Sequence, residues 1–148
     1  FEEVSEAFPE AVVNGELDRG LLGEIVFADE QKLSALEAII HPMVRKFNLE
    51  FIEQSQSAKL IALEIPLLFE TGAEEVCDYA VFVNVSRETI FERALMRPGM
   101  TAEKLEKILS RQMPIEEKMQ KADFVIDNEL GADTVAEVKK IIEEICER

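Results

Sequence analysis

The chain has 148 residues, enough for one domain with a sizeable core, and its 47% apolar content argues against disorder. A net charge of −15 repels nucleic acid and anionic lipid, so neither is an expected partner. No run of about 18 apolar residues occurs, so no membrane-spanning helix is expected.

The opening FEEVSEAF lacks the charged and apolar blocks of a secretory signal, and a cytoplasmic protein is expected. Residues 1–13 read as the tail of a helix that begins upstream, because no capping residue opens them. Asn14-Gly15 is a turn signal, and residues 18–27 form a short helix. Asp29 is placed to cap a longer helix, whose apolar Leu33, Leu36, Ile40, Val44, Phe47 and Phe51 recur at three and four residues. Pro42 removes one intrahelical hydrogen bond and predicts a kink or break there.

Residues 60–65 predict a first strand and residues 79–85 (YAVFVNV) a second, the latter rich in β-branched and aromatic side chains. Ser86 caps a helix carrying Ile90, Phe91 and Leu95, which Pro98-Gly99 ends. Thr101 caps the next helix, reaching about Gln112, and Pro114 suits the start of a further short one. Residues 124–126 predict a third strand, and Val135, Val138, Ile142 and Ile145 line a closing amphipathic helix. Apolar strands separated by helices predict an α/β fold with a parallel sheet covered on both faces. Three strands are few for such a sheet, which fits one lacking its first strand. Cys77 and Cys146 match no metal or redox spacing and are expected to be reduced structural thiols.

Ligands of open α/β sheets sit at the carboxyl ends of the strands. One such end, residues 64–70, carries Glu64 and Glu70; the others are residues 84–87 and 127–131. The middle one opens into residues 86–121, where eight Lys/Arg against six Glu leave a balance of +2 in a chain whose remainder carries −17. An anionic substrate is expected to meet the chain there. Arg93 and Arg97 share a helix face, Arg111 and Lys118 follow, and Pro98-Gly99 permits a hinge. Guanidiniums present planar, paired donors to phosphate oxygens, so this stretch is a candidate lid; an ordinary solvated helical hairpin fits the same pattern.

Gly15 and Gly20 have P-loop spacing, but Leu21 and Leu22 stand where Lys and Ser/Thr belong, and Glu16 and Asp18 would repel phosphate. No phosphate loop is therefore expected within these residues. His41, the single histidine, suits a structural role better than a catalytic one. No metal cluster, Ser-His-Asp set or Cys-His pair can be assembled from one His and two distant Cys, so no metal site is assigned.

Five landmarks occur in a particular order: LDRGLLGEIVFAD at 17–29, LEAIIHPMV at 36–44, EIPLLFE at 64–70, VFVNVSRETIFERALMRPGMT at 81–101 and ILSRQMPIEEKMQKADFVIDN at 108–128. Together they make the chain resemble dephospho-CoA kinase over roughly residues 14–131. The resemblance implies a P-loop kinase-like three-layer parallel sheet, here missing its first strand and P-loop, with a helical acceptor subdomain and a helical lid. It implies transfer of the γ-phosphoryl of ATP, with Mg²⁺, to the ribose 3′-hydroxyl of dephospho-CoA, the last step of coenzyme A synthesis.

Residues 1–148 would then be one incomplete kinase domain. Residues 14–58 would be the acceptor side, including Arg19, His41 and Pro42, and residues 60–85 and 122–148 the core. Residues 86–121 would be the lid, with Arg97 as the strongest transition-state candidate and Arg93 and Arg111 in support. Pro66, Leu67, Leu68 and Phe69 would wall the acceptor pocket at the end of a core strand, and Asp127 and Asn128 would lie near the adenine. Glu70 is expected to orient the acceptor side, since a bare carboxylate beside ATP is unfavourable without a metal or Arg. Glu64 is either an ordinary edge residue or one near Mg²⁺.

The sequence also departs from the family pattern. The Gly-rich loop, a Mg²⁺-binding hydroxyl and the general-base Asp of the family are expected N-terminal to Phe1, so the 148 residues alone are expected not to catalyse the transfer. Ile90 stands where many members carry Gln, and NELG at 128–131 is stretched relative to the usual Asn-Gly loop. The alternatives are a non-catalytic, degenerate kinase-like binding module and another P-loop kinase acting on a nucleoside monophosphate. The sequence does not specify an oligomeric state.

Overall fold

The computed structural model describes residues 2–147. The chain divides into two compact units, Phe1–Gln56 and Ser57–Arg148. Among the described residues no helix is long and apolar enough to cross a membrane.

The first unit opens with helix α1 (Glu2–Ala7) and a 3₁₀ turn (Pro9–Ala11). A tight hairpin follows, pairing β1 (Val12–Val13) with β2 (Glu16–Leu17) antiparallel. Asn14 and Gly15 both have positive φ, 54° and 84°, as a two-residue hairpin turn requires. The turn signal is legible in the sequence, but strands of two residues carry too little periodicity to be foreseen. Helices α2 (Arg19–Ala28) and α3 (Glu30–Gln54) are capped by aspartates. Asp18 Oδ1 accepts from the Gly20 and Leu21 amides at 2.8 and 3.0 Å, and Asp29 Oδ1 from the Gln31 and Lys32 amides at 2.8 and 3.3 Å. Such caps contribute roughly 1 kcal/mol each.

Val4, Phe8, Ala11, Leu22 and Val26 form the buried core of this unit, with Leu17, Ile25, Leu33, Leu36 and Ile39 packed against it. Of the kink or break expected at Pro42, the break is absent: α3 runs on through it. Pro42 and Ala38 are both exposed, so water can serve the Ala38 carbonyl that loses its intrahelical partner. The C-terminal half of α3 leaves Met43, Val44, Phe47 and Phe51 exposed.

In the second unit, residues 60–65 do not form the expected strand. They keep a strand's alternation, with Ile61, Leu63 and Ile65 half-buried and Leu60, Ala62 and Glu64 exposed, yet no ladder partner lies beside them among the described residues. Side-chain alternation is local, whereas a strand also needs a neighbouring backbone, which a sequence pattern cannot supply. Two of the three expected strands are present. β3 (Val81–Asn84) and β4 (Phe124–Asp127) run parallel, in register from Val81↔Phe124 to Asn84↔Asp127. Their leading ends are fixed by Asp123, whose Oδ2 accepts from the Ala80 amide at 2.8 Å.

Residues 66–72 turn, closing with Thr71 Oγ1 donating to the Leu67 carbonyl at 2.8 Å, and Gly72 adopts φ 67° before a 3₁₀ turn (Ala73–Val76). After β3, Ser86 caps α4 (Arg87–Leu95), its Oγ accepting from the Thr89 amide at 3.2 Å. Gly99, φ 76°, breaks the path as expected. Thr101 caps α5 (Ala102–Leu109), accepting from the Lys104 amide at 3.2 Å. The helix stops three residues short of Gln112, because the Arg111 and Gln112 amides donate to Ile108 and Leu109, at 3.3 and 3.1 Å, in tightened turns. α6 (Ile115–Lys121) starts after Pro114, and α7 (Thr134–Glu147) closes the chain. An exposed pair joins α4 to α5, with one Arg87 nitrogen donating to both Glu106 oxygens at 2.6 Å.

Candidate active site

The parallel register brings Asn84 and Asp127 side by side at the carboxyl edge of the sheet, where α/β proteins place ligands. The Asn128 amide donates to the Asn84 carbonyl at 2.9 Å, extending the ladder by one residue. The loop beyond is tightly specified. Asp127 Oδ1 accepts from the Glu129 amide at 2.9 Å, while the Asp127 carbonyl accepts from Thr134 Oγ1 at 3.0 Å. Glu137 Oε2 accepts from the Asp127 amide at 2.8 Å. The Asp127 carboxylate is thus used to shape its own loop.

Three residues of the 86–121 stretch reach this edge. Arg93, on α4, donates to the Asn128 carbonyl at 2.7 Å. Thr89 Oγ1 donates to Glu129 Oε2 at 2.6 Å, and the Ser86 amide donates to Glu129 Oε1. Glu129 therefore ties the strand-end loop to the first turn of α4, where a carboxylate is favoured by the helix dipole. Its partners hold its carboxyl below the ordinary value of 4.5: Thr89 first, then the Ser86 amide and hydroxyl, against a burial effect that raises it, with the charge of Arg93 adding a last lowering. Nothing in residue spacing marks Glu129, because its partners lie about 40 positions away.

The sign of that shift sets a pH dependence. A carboxyl whose folded pKa is lowered contributes stability above its unfolded value and loses it as pH falls through the folded one. Hydrogen exchange at the Ser86 amide is therefore expected to accelerate as pH drops below about 4.5, beyond the intrinsic trend. In Glu129→Gln that extra acid response is expected to vanish; its persistence would assign the effect elsewhere.

Glu70 and Lys118 form the best-shielded ion pair described in this unit, at 2.7 Å, with side chains 17% and 10% exposed. Glu70 Oε1 also accepts from the Met113 amide at 2.9 Å. Burial pushes the Glu70 carboxyl up, but Lys118, the Met113 amide and its own amide outweigh that and leave it lowered. Beside this pair Lys121 meets Glu74 at 2.9 Å and lies 5.3 Å from the centre of the Phe69 ring. Glu70 is thus bound to the stretch between α5 and α6, while Pro66 is exposed, Leu67 and Leu68 are half-buried and Phe69 is buried.

Arg97 lies just past α4, exposed, where its carbonyl accepts from the Met100 amide at 3.1 Å. Arg111 sits exposed in the turn after α5. Thus the second unit brings Arg93 and Asn128 into direct contact, with Asp127 adjacent, and carries Arg97, Arg111 and residues 66–70. Arg19 and His41 belong to the first unit. Arg19 opens α2 beside a shallow depression lined by Glu2, Ser5, Gly15, Glu16 and Leu17, and His41 is exposed midway along α3.

The family model for dephospho-CoA kinase (CoaE) matches residues 1–134. The chain belongs to the dephospho-CoA kinase family. It is 43% identical over 143 residues to the dephospho-CoA kinase of Rhodopseudomonas palustris strain HaA2, covering 95% of this chain and 72% of that one. It is 46% identical over 145 residues to that of Mesorhizobium japonicum, covering 96% and 74%. Among solved structures it is similar to TT1252 from Thermus thermophilus, with TM-score 0.75 and 37% identity over 97% of this chain and 74% of that one. The dephospho-CoA kinase from Campylobacter jejuni gives TM-score 0.66 and 33% identity, over 98% and 76%. Both the family and the α/β fold of P-loop kinase type expected from the five ordered motifs are therefore shown. Membership of the dephospho-CoA kinase family makes the chain a transferase of coenzyme A biosynthesis and does not favour the two alternatives.

Proposed function

We propose that the protein transfers the γ-phosphoryl of ATP to the ribose 3′-hydroxyl of dephospho-CoA through the residues named above. The observation that carries the assignment of sites is the Arg93–Asn128 contact, which seats a lid guanidinium on the carboxyl edge of the parallel sheet. In this reading Arg93, Arg97 and Arg111 meet the phosphates, Asp127 and Asn128 flank the adenine, residues 66–69 face the acceptor, and Glu70 orients that side without touching it. Residues 86–121 serve as the lid and residues 14–58, with Arg19 and His41, as the acceptor side.

Phosphoryl transfer is accelerated by positioning and by stabilising charge on the equatorial oxygens, which is work suited to fixed guanidiniums. Arg93 is already fixed through Asn128, whereas Arg97 stands at a turn from which it can approach. Kinases of this kind use Mg²⁺, which when bound would offset the negative charge of the ATP phosphates. Among the described residues no group of three or more His, Cys, Asp or Glu stands together to hold a metal ion, so these residues offer no ready-made Mg²⁺ site. Glu64 is exposed and belongs to no such group among the described residues. Cys77 and Cys146 are free thiols, which suits the reducing cytoplasm.

Initial rates with the natural full-length polypeptide and ATP test the reading. Dephospho-CoA is expected to be phosphorylated in strong preference to AMP or shikimate. Preference for AMP would replace this reading with that of a nucleoside monophosphate kinase.

A further inference from the structure

Met113, on the stretch between α5 and α6, and Glu70, at the end of IPLLFE, lie 43 positions apart and are joined through one carboxylate oxygen. Glu70 Oε1 accepts from the Met113 amide at 2.9 Å and from Lys118 Nζ at 2.7 Å. Lys118 also reaches Gln112 Oε1 at 3.5 Å. Gln112 and Met113, the two residues that follow Arg111, are thus both tied to the Glu70–Lys118 pair. The Arg111 amide is closed on the Ile108 carbonyl at 3.3 Å, so the turn is held from both sides. Lys118 is the one buried charged residue among those described, at 8% exposure. Glu70 Oε2 is buried without a hydrogen-bond partner, a cost that a purely surface pair would not carry.

We propose that Glu70 is a positioning residue, which fixes the turn carrying Arg111 through the Met113 amide and Lys118 and so couples residues 66–70 to the lid guanidinium. The inference rests on the kinase reading above and deepens it. Glu70 touches neither phosphate nor acceptor in this account; its effect on turnover passes through Arg111. The pair is suited to such work because its energy depends steeply on geometry when water is excluded. A small displacement of a reacting group can cost about 10²-fold in rate.

The test is a double-mutant cycle of Glu70→Gln and Arg111→Ala in the full-length protein, with kcat, the KM for dephospho-CoA and hydrogen exchange at Met113 as readouts. Glu70→Gln is expected to lower kcat by about 10–100-fold, to leave KM within about two-fold, and to change kcat less than about two-fold in the Arg111→Ala background. Exchange at Met113 is expected to accelerate in Glu70→Gln. Full multiplication of the two effects on kcat, or an inert Glu70→Gln, overturns the proposal. An inert Arg111→Ala overturns both the coupling and the role of Arg111, and that single variant identifies it. Unchanged exchange at Met113 overturns the proposal whatever the turnover, whereas failure of the unmutated protein to phosphorylate dephospho-CoA overturns the kinase reading itself.

Discussion

Arg97→Ala is expected to lower kcat by about 10³-fold, the low end for an arginine that stabilises a transferring phosphoryl group, or about 4 kcal/mol of barrier. The size follows from where Arg97 sits. It lies one residue past the C-cap of α4, exposed, at the turn that Gly99 permits with its φ of 76°. Its guanidinium makes no hydrogen bond or ion pair among the described residues, so it gives up no internal partner when it meets an anion. Arg93 differs, because its guanidinium already donates to the Asn128 carbonyl. A loss confined to the transition state lowers kcat with little change in the KM for ATP. Arg97→Lys is expected to recover only part of the loss, since an ammonium cannot present two parallel donors. Steady-state kinetics settle the matter: if kcat of Arg97→Ala stays within a few-fold of the unmutated protein, Arg97 has no such role.

Lys118→Met is expected to cost roughly 3 kcal/mol of unfolding free energy, because it leaves a shielded carboxylate without its counter-ion. At 2.7 Å, with side chains 10% and 17% exposed, this pair is far drier than Arg87–Glu106, at 57% and 55% exposed. Exposed pairs of the latter kind are worth at most about 1 kcal/mol. Glu70 keeps the Met113 amide after the substitution, which offsets part of the loss. Adding Glu70→Leu to Lys118→Met is expected to restore most of the stability, since replacing both partners removes the buried charge altogether. Urea unfolding measures both effects. An unchanged midpoint for Lys118→Met would show that water reaches the pair and that its geometry carries little energy.

What can be read from the residues is what is local. Asp29, Ser86 and Thr101 cap helices, and a cap needs only its own next three residues to be recognised. Asn14-Gly15 turns for the same reason. Pro42 does not break α3, because the proline removes one hydrogen bond whereas a helix of 25 residues retains the others. Residues 60–65 mislead: the alternation is present, but pairing depends on chain elsewhere.

Site residues divide along the same line. Arg93 and Asn128 each stand out in the sequence, but the hydrogen bond between them spans 35 positions and no pattern announces it. Glu129 reads only as part of a stretched loop, although it fastens that loop to α4. Glu70 stands out at the end of IPLLFE, while its tie to Met113 and Lys118 is visible only in the folded chain. The family is legible because the order of five modest motifs is a global property that survives without any knowledge of contacts.

The central claim is that this chain carries the lid and acceptor wall of a kinase that phosphorylates the ribose 3′-hydroxyl of dephospho-CoA. Phosphorus NMR of the product formed by the full-length protein with ATP and dephospho-CoA tests it most directly. A new 3′-phosphomonoester resonance, growing in equal measure with ADP, is the expected result. ADP formed without that resonance, or a phosphate appearing at another position of the acceptor, would contradict the account.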